Sequence, residues 1–265
     1  MPLLLAPRLW SKIYKPKRTE NQERAHGDGI KVGLASVEAL EEYFFKVITN
    51  DRYISDEGLL PHELTREEND LYRRYFKSLT PEGNLYLAKN NNAILRLPSL
   101  HALNPDISMY VLVREPLQHA ASLLAQHLKF EQQQDDDPFV LEYMNWLGHH
   151  EFGKGQKPFL LSETPSFEQF STHSLNYWLI LWIRYYERIL STSFVTVVPY
   201  EDFLKEPANV LRSIGSDLGL EVKLESLTVF EKHPAVLPEY HQELADKAKE
   251  LYHTLINHRE KSITN

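Results

Sequence analysis

The residues best suited to chemistry in this chain follow one apolar run. Met109-Tyr110-Val111-Leu112-Val113 leads straight into Arg114-Glu115-Pro116, and Ser122 comes eight residues after Arg114. An apolar run that halts at an arginine and a proline reads as a buried strand feeding a helix. In open α/β sheets, ligands bind beyond the carboxyl ends of the strands. A guanidinium there can grip an oxyanion with a fork of N–H donors, and a serine two turns into the next helix offers a compact second donor. The pattern points to an α/β protein that holds a phosphate or sulfate ester. The plainer alternative pairs Arg114 with Glu115 or another surface acid and leaves Ser122 as a small helix residue.

Several elements must position these groups. Ser36 precedes an apolar stripe of Leu40, Tyr43, Phe44 and Ile48, which predicts a helix from Val37 to Ile48. A second helix is expected from Thr65 to Lys77, with Glu67 and Glu68 at its start. Leu85-Tyr86-Leu87-Ala88 reads as a short strand, and Ala93 to Leu103 as a helix interrupted by Pro98. Ile107 to Val113 is the strong strand, followed by a helix from Leu117 to Phe130 and another from Phe139 to His150. Phe167 to Leu190 reads as a long aromatic-rich helix, Phe194 to Tyr200 as a third strand, and Glu201 to Leu218 as a helix kinked or broken at Pro207. A charged terminal helix runs from Glu239 to Ile256.

The composition narrows the function classes. The 265 residues are 42% hydrophobic and carry a net charge of −8, from 37 acids against 29 bases. This suits one domain with a substantial core and argues against a broad nucleic-acid surface, which needs a basic face. With no cysteine, disulfides, zinc–thiolate sites and cysteine nucleophiles are excluded. The apolar stretch Tyr177 to Ile183 stops at Arg184, well short of the roughly 20 residues of a membrane span, and Leu3-Leu4-Leu5 is too brief for a signal peptide. A soluble, cytoplasmic chain with no membrane span is the expectation. His149-His150-Glu151 and His101 invite a metal reading, but adjacent helical histidines diverge and no H-E-x-x-H pattern occurs, so no metal is expected.

Leu112-Val113-Arg114-Glu115-Pro116 through Ser122 resembles the 3′-phosphate-binding motif of the sulfotransferases that use 3′-phosphoadenylyl sulfate. The stretch from Leu87 to Leu97, Asn104-Pro105-Asp106, and Val198-Pro199-Tyr200-Glu201-Asp202-Phe203-Leu204 with Glu206-Pro207 are similar to further segments of that family. Glu23 to Gly29, with Ser36 to Tyr43, looks like the version in a broad branch of it. The resemblance covers about residues 25 to 220. It implies an α/β, P-loop-like three-layer architecture with a central parallel sheet in a single domain, residues 1–265. Residues 1–34 would form an irregular N-terminal segment and residues 239–265 a terminal helix and tail.

The same resemblance implies transfer of a sulfuryl group from 3′-phosphoadenylyl sulfate, the co-substrate, to a hydroxyl or amine of a small-molecule acceptor. Arg114 and Ser122 would bind the 3′-phosphate, Lys89 would approach the transferring sulfate, and His26, oriented by Asp28, is the candidate base. Trp146, Trp178, Trp182, Phe167, Phe170, Tyr177, Tyr185 and Tyr186 would line an acceptor pocket or, more plainly, pack a long helix against the sheet. The alternative function is a non-catalytic nucleotide-binding or interaction module. The family opens with a strand and a glycine-rich loop around the 5′-phosphosulfate, and Ala6-Pro7-Arg8 only faintly echoes it. The expectation is therefore a sheet missing its first strand, through a misplaced start, a truncated relative, or a different segment that supplies the anion contacts.

Overall fold

Capping side chains start three of the helices, at Thr65, Glu115 and Ser174, and strands form only where a partner takes up their backbone groups. A computed structural model of the chain describes residues 22–23, 31–32, 40–163, 165–225, 227 and 234–263. Gln22–Glu23 (β1) pairs antiparallel with Lys31–Val32 (β2). Helices α1 (Leu40–Ile48) and α2 (Arg66–Leu79) follow. A 3₁₀ turn, Asn91–Arg96, runs into α3 (Leu97–Leu103), then strand β3 (Met109–Val113), α4 (Pro116–Asp136) and α5 (Phe139–Leu147). Next come α6 (Leu175–Leu190), strand β4 (Val195–Pro199), α7 (Tyr200–Lys205), α8 (Pro207–Asp217) and α9 (Gln242–Ile263).

Helix α6 is the centre of the core. Leu175, Tyr177, Trp178, Leu179, Ile180, Trp182 and Ile183 are all buried, and a helix that is apolar all round belongs inside. It packs between α4, through Ala120, Ala121 and Leu124, and α9, through Ala245, Ala248 and Leu255. Trp178 and Trp182 are each 2% exposed, so they pack in the core. A second cluster, Phe45, Leu64, Tyr72 and Leu100, joins α1, α2 and α3.

Local chemistry sets the boundaries. Thr65 starts α2 with a capping box: its hydroxyl accepts from the Glu68 N–H at 3.2 Å, and the Glu68 carboxylate accepts from the Thr65 N–H at 2.8 Å. Thr65→Ala is expected to lower stability by about 1 kcal/mol, read as an earlier midpoint in urea denaturation. Pro207 splits the expected kinked helix into α7 and α8, with Glu206 between them. Gly148 ends α5 in the left-handed region at φ 75°. Gly58 is fixed by close approach, since a Cβ there would sit 2.5 Å from the Pro158 carbonyl oxygen.

The P-loop-like three-layer architecture is overturned. Of the described residues, 55% are helical. Its parallel sheet, among the described residues, is β3 beside β4, in register from Met109 with Val195 to Val113 with Pro199. Leu85 to Ala88 is not a strand; Leu85 and Leu87 are exposed and nothing described pairs with their backbone, which a strand requires. A two-stranded ribbon cannot form a middle layer with helices on both faces, so the core rests on helix–helix packing around α6. No helix among the described residues is long and apolar enough to cross a membrane.

Candidate functional site

The carboxyl end of β3 is where the fold gathers charge. Strand β3 stops at the fully buried Val113, Pro116 begins α4, and β4 ends beside it at Pro199 with α7 following directly. Arg114 is half-buried, its guanidinium carbon 5.3 Å from the centre of the Tyr200 ring. Its Nε is buried with no hydrogen-bond partner.

The acids around Arg114 are engaged elsewhere. Glu115 caps α4, its carboxylate accepting from the Gln118 N–H at 2.7 Å. Glu201 accepts from the Glu115 N–H at 3.1 Å and from the Tyr252 hydroxyl at 2.9 Å. The plain pairing of Arg114 with Glu115 is therefore not made, and no described carboxylate lies within ion-pair distance of Arg114. The Gln118 side chain holds the backbone of Ala235, donating at 3.4 Å and accepting at 2.8 Å, which lays the segment before α9 across the start of α4.

His119, one turn into α4, is a neighbour of Arg114 that sequence reasoning missed. Burial and the adjacent Arg114 charge push its pKa down to about 4, with Glu201 pulling weakly the other way. Its Nδ1 is also buried without a partner. Ser122 is half-buried three residues further on, on the same side of the helix. Among the described residues no hydrogen bond joins it to Arg114. The sequence signal for His119 was its place one turn after a strand-end arginine.

Lys89 falls in another group. It is exposed, and its charge acts on His149 and Glu151, which stand 3.3 Å apart beyond α5. His149 is raised: burial opposes the charged form, but Glu151 outweighs it. His150 turns to the Gly155 carbonyl at 3.1 Å, and His101 stacks on Phe194 at 4.0 Å, so the adjacent histidines do not converge. His26 lies outside the described residues, as does its proposed orienter Asp28.

A further cluster joins α4 to the loop before α6. Glu131 Oε2 is 2.7 Å from His173 Nε2, and Glu131 Oε1 is 3.3 Å from His127 Nε2. These three have the donor types and mutual spacing of a metal site. The half that sequence offered was His127 and Glu131 at i, i+4 on one helix; the third member lies 42 residues beyond Glu131 and leaves no local trace.

The sulfotransferase resemblance does not survive this geometry. The turns after β3 and β4 enter their helices through Arg114-Glu115 and directly, with no glycine. They therefore form no backbone N–H cradle for a phosphosulfate. With two strands the sheet offers no nucleotide-binding core. Sulfuryl transfer, 3′-phosphoadenylyl sulfate as co-substrate, a small-molecule acceptor, and the nucleotide-binding-module alternative all fall with it. The His127–Glu131–His173 group is no site for that donor either. No protein-family model, curated protein or solved structure matches this chain.

Proposed function

We propose that the chain binds a small molecule through an oxyanion at the corner where β3 ends, with Arg114 as its principal contact. The observation that carries this is a half-buried guanidinium with no carboxylate partner among the described residues. Desolvated arginines are ordinarily paired, and an unpaired one with an orphaned Nε asks for a ligand group. The neutral His119, whose Nδ1 is also orphaned at this corner, offers a second contact, and Ser122 a third. The dipole of the 21-residue helix α4 favours negative charge near Pro116. A cytoplasmic location is part of this reading, in keeping with a chain in which no described helix crosses a membrane.

Calorimetric titration with inorganic phosphate and pyrophosphate tests it. Arg114→Ala is expected to weaken binding about 30-fold, the equivalent of about 2 kcal/mol for a charge-assisted hydrogen bond, with an unchanged circular dichroism spectrum. Ser122→Ala is expected to cost about fivefold. Equal affinity in wild type and Arg114→Ala, or no saturable binding of either anion, overturns the role of Arg114.

A further inference from the structure

We propose that His127, Glu131 and His173 form a binding site for a divalent transition metal of the zinc class. His127 and Glu131 stand one turn apart on α4, so both side chains leave the same face of the helix. His173 comes to them from the loop before α6. One donor atom from each residue lies within 4.8 Å of the other two. Two imidazoles and a carboxylate suit zinc and its neighbours, whereas magnesium and calcium take oxygen ligands.

The orphaned nitrogen of His127 carries the argument. The residue is 1% exposed, and its Nε2 is buried with no hydrogen-bond partner among the described residues. A buried polar atom left bare costs free energy, so it calls for a group that the neighbouring side chains do not supply. That atom stands 3.3 Å from Glu131 Oε1 without a hydrogen bond between them. Two ligands of a tetrahedral zinc, each bonded at about 2.0–2.1 Å, stand about 3.3–3.4 Å apart. His173 Nε2 is closer to the carboxylate, 2.7 Å from Glu131 Oε2. Its side chain is 56% exposed on a loop, so it can open by the remaining margin.

One contact must change when the metal binds. The Gly153 N–H donates to His127 Nδ1 at 3.1 Å. A ring that ligates through Nε2 instead carries its proton on Nδ1 and donates it to a carbonyl or carboxylate. The peptide between Phe152 and Gly153 meets that need by turning over, which presents the Phe152 carbonyl to Nδ1. The turn swings φ at Gly153 away from 77°, and glycine adopts both signs of φ without strain. Three protein ligands leave a fourth position for water, the arrangement of an open zinc site rather than a closed structural one. His173 also borders a cleft that Glu239 and His241 line, so this side of the cluster faces solvent.

Calorimetric titration of the metal-free full chain with zinc chloride tests the site. Wild type is expected to take up a single zinc ion per chain, in a saturable transition that magnesium and calcium do not compete with. His173→Ala, on an exposed loop, and Glu131→Gln are each expected to weaken zinc binding at least about 100-fold, with circular dichroism spectra that match wild type. His253→Gln, which alters an exposed histidine on α9, is expected to keep the wild-type affinity. In amide NMR spectra of wild type, the Gly153 resonance is expected to shift on saturation with zinc. No saturable uptake, or equal affinity in wild type and both ligand variants, overturns the proposal and leaves a buried water as the partner of His127 Nε2. Zinc uptake that leaves the Gly153 amide unmoved overturns it too, because the ion then sits on other groups.

Discussion

Replacing Arg96 with methionine is expected to destabilise the protein by about 3–5 kcal/mol, on the order of 10 °C in Tm, with no ligand involved. Arg96 is 0% exposed. Its two terminal nitrogens fork onto both oxygens of Glu42, at 3.0 and 2.8 Å, and its guanidinium lies 4.1 Å from the centre of the Phe45 ring. Glu42 also accepts from the Tyr53 hydroxyl at 2.5 Å and from Asn90 at 2.9 Å. Removing the guanidinium leaves a buried carboxylate next to a second one, Glu41, whose own pKa is raised chiefly by burial. The loss arises from the orphaned charge rather than from the net worth of the pair. The double variant Glu42→Leu with Arg96→Met is therefore expected to recover most of the stability. Arg96→Lys is expected to fall between, because an ammonium cannot fork. A loss below about 1 kcal/mol for the single variant in urea denaturation would show that Glu42 finds water or another donor.

That ion pair also marks where sequence reasoning stops. Glu42 and Arg96 lie 54 residues apart, and neither stands out in its own segment. Local signals did locate α6, β3, β4, the helix that starts near Thr65 and the interruption at Pro207, because each depends on near neighbours in the chain. The strand expected at Leu85 to Ala88 fails for the opposite reason. Its apolar residues are a β-type run, but strand formation is decided by a partner that no local pattern names. The same limit governs the sites. Arg114 was visible as a strand-end cation, whereas its unpaired state depends on Glu115 and Glu201 turning to backbone and tyrosine donors. His127 and Glu131 stand at i, i+4 on one helix, but His173, which completes their group, lies 42 residues beyond Glu131 and leaves no local trace. The resemblance across residues 25 to 220 was carried by short segments, each compatible with more than one packing, and the two-stranded sheet removes the layer those segments would have to line.

Stability is expected to fall steeply as the pH drops from about 6.5 to 4, because several histidines are held neutral by burial. His119 is pushed down to about 4 by desolvation and by Arg114. His62, where desolvation leads and the charge of Arg96 adds to it, is likewise pushed down to about 4. His127 and His150 are lowered for the same leading cause. Between pH 6.5 and 4 the unfolded chain binds protons that the folded chain refuses, so protonation draws the equilibrium toward unfolding as pH falls. For His119 the gap between 6.5 and about 4 corresponds to about 3 kcal/mol. His62 contributes less, since its partly exposed ring is screened by solvent. Two groups act in the opposite sense. Glu41, raised by burial, and His149, raised by Glu151, each lose stabilisation as pH rises, above the ordinary carboxylate range and above about 6.5 respectively. The maximum therefore falls near neutrality. Urea denaturation across pH 4 to 7 measures the slope, and His119→Leu is expected to flatten it by close to one proton at pH 5. An unchanged slope in that variant would mean that His119 takes up its proton in the folded state, with Glu201 as the acceptor that stabilises it.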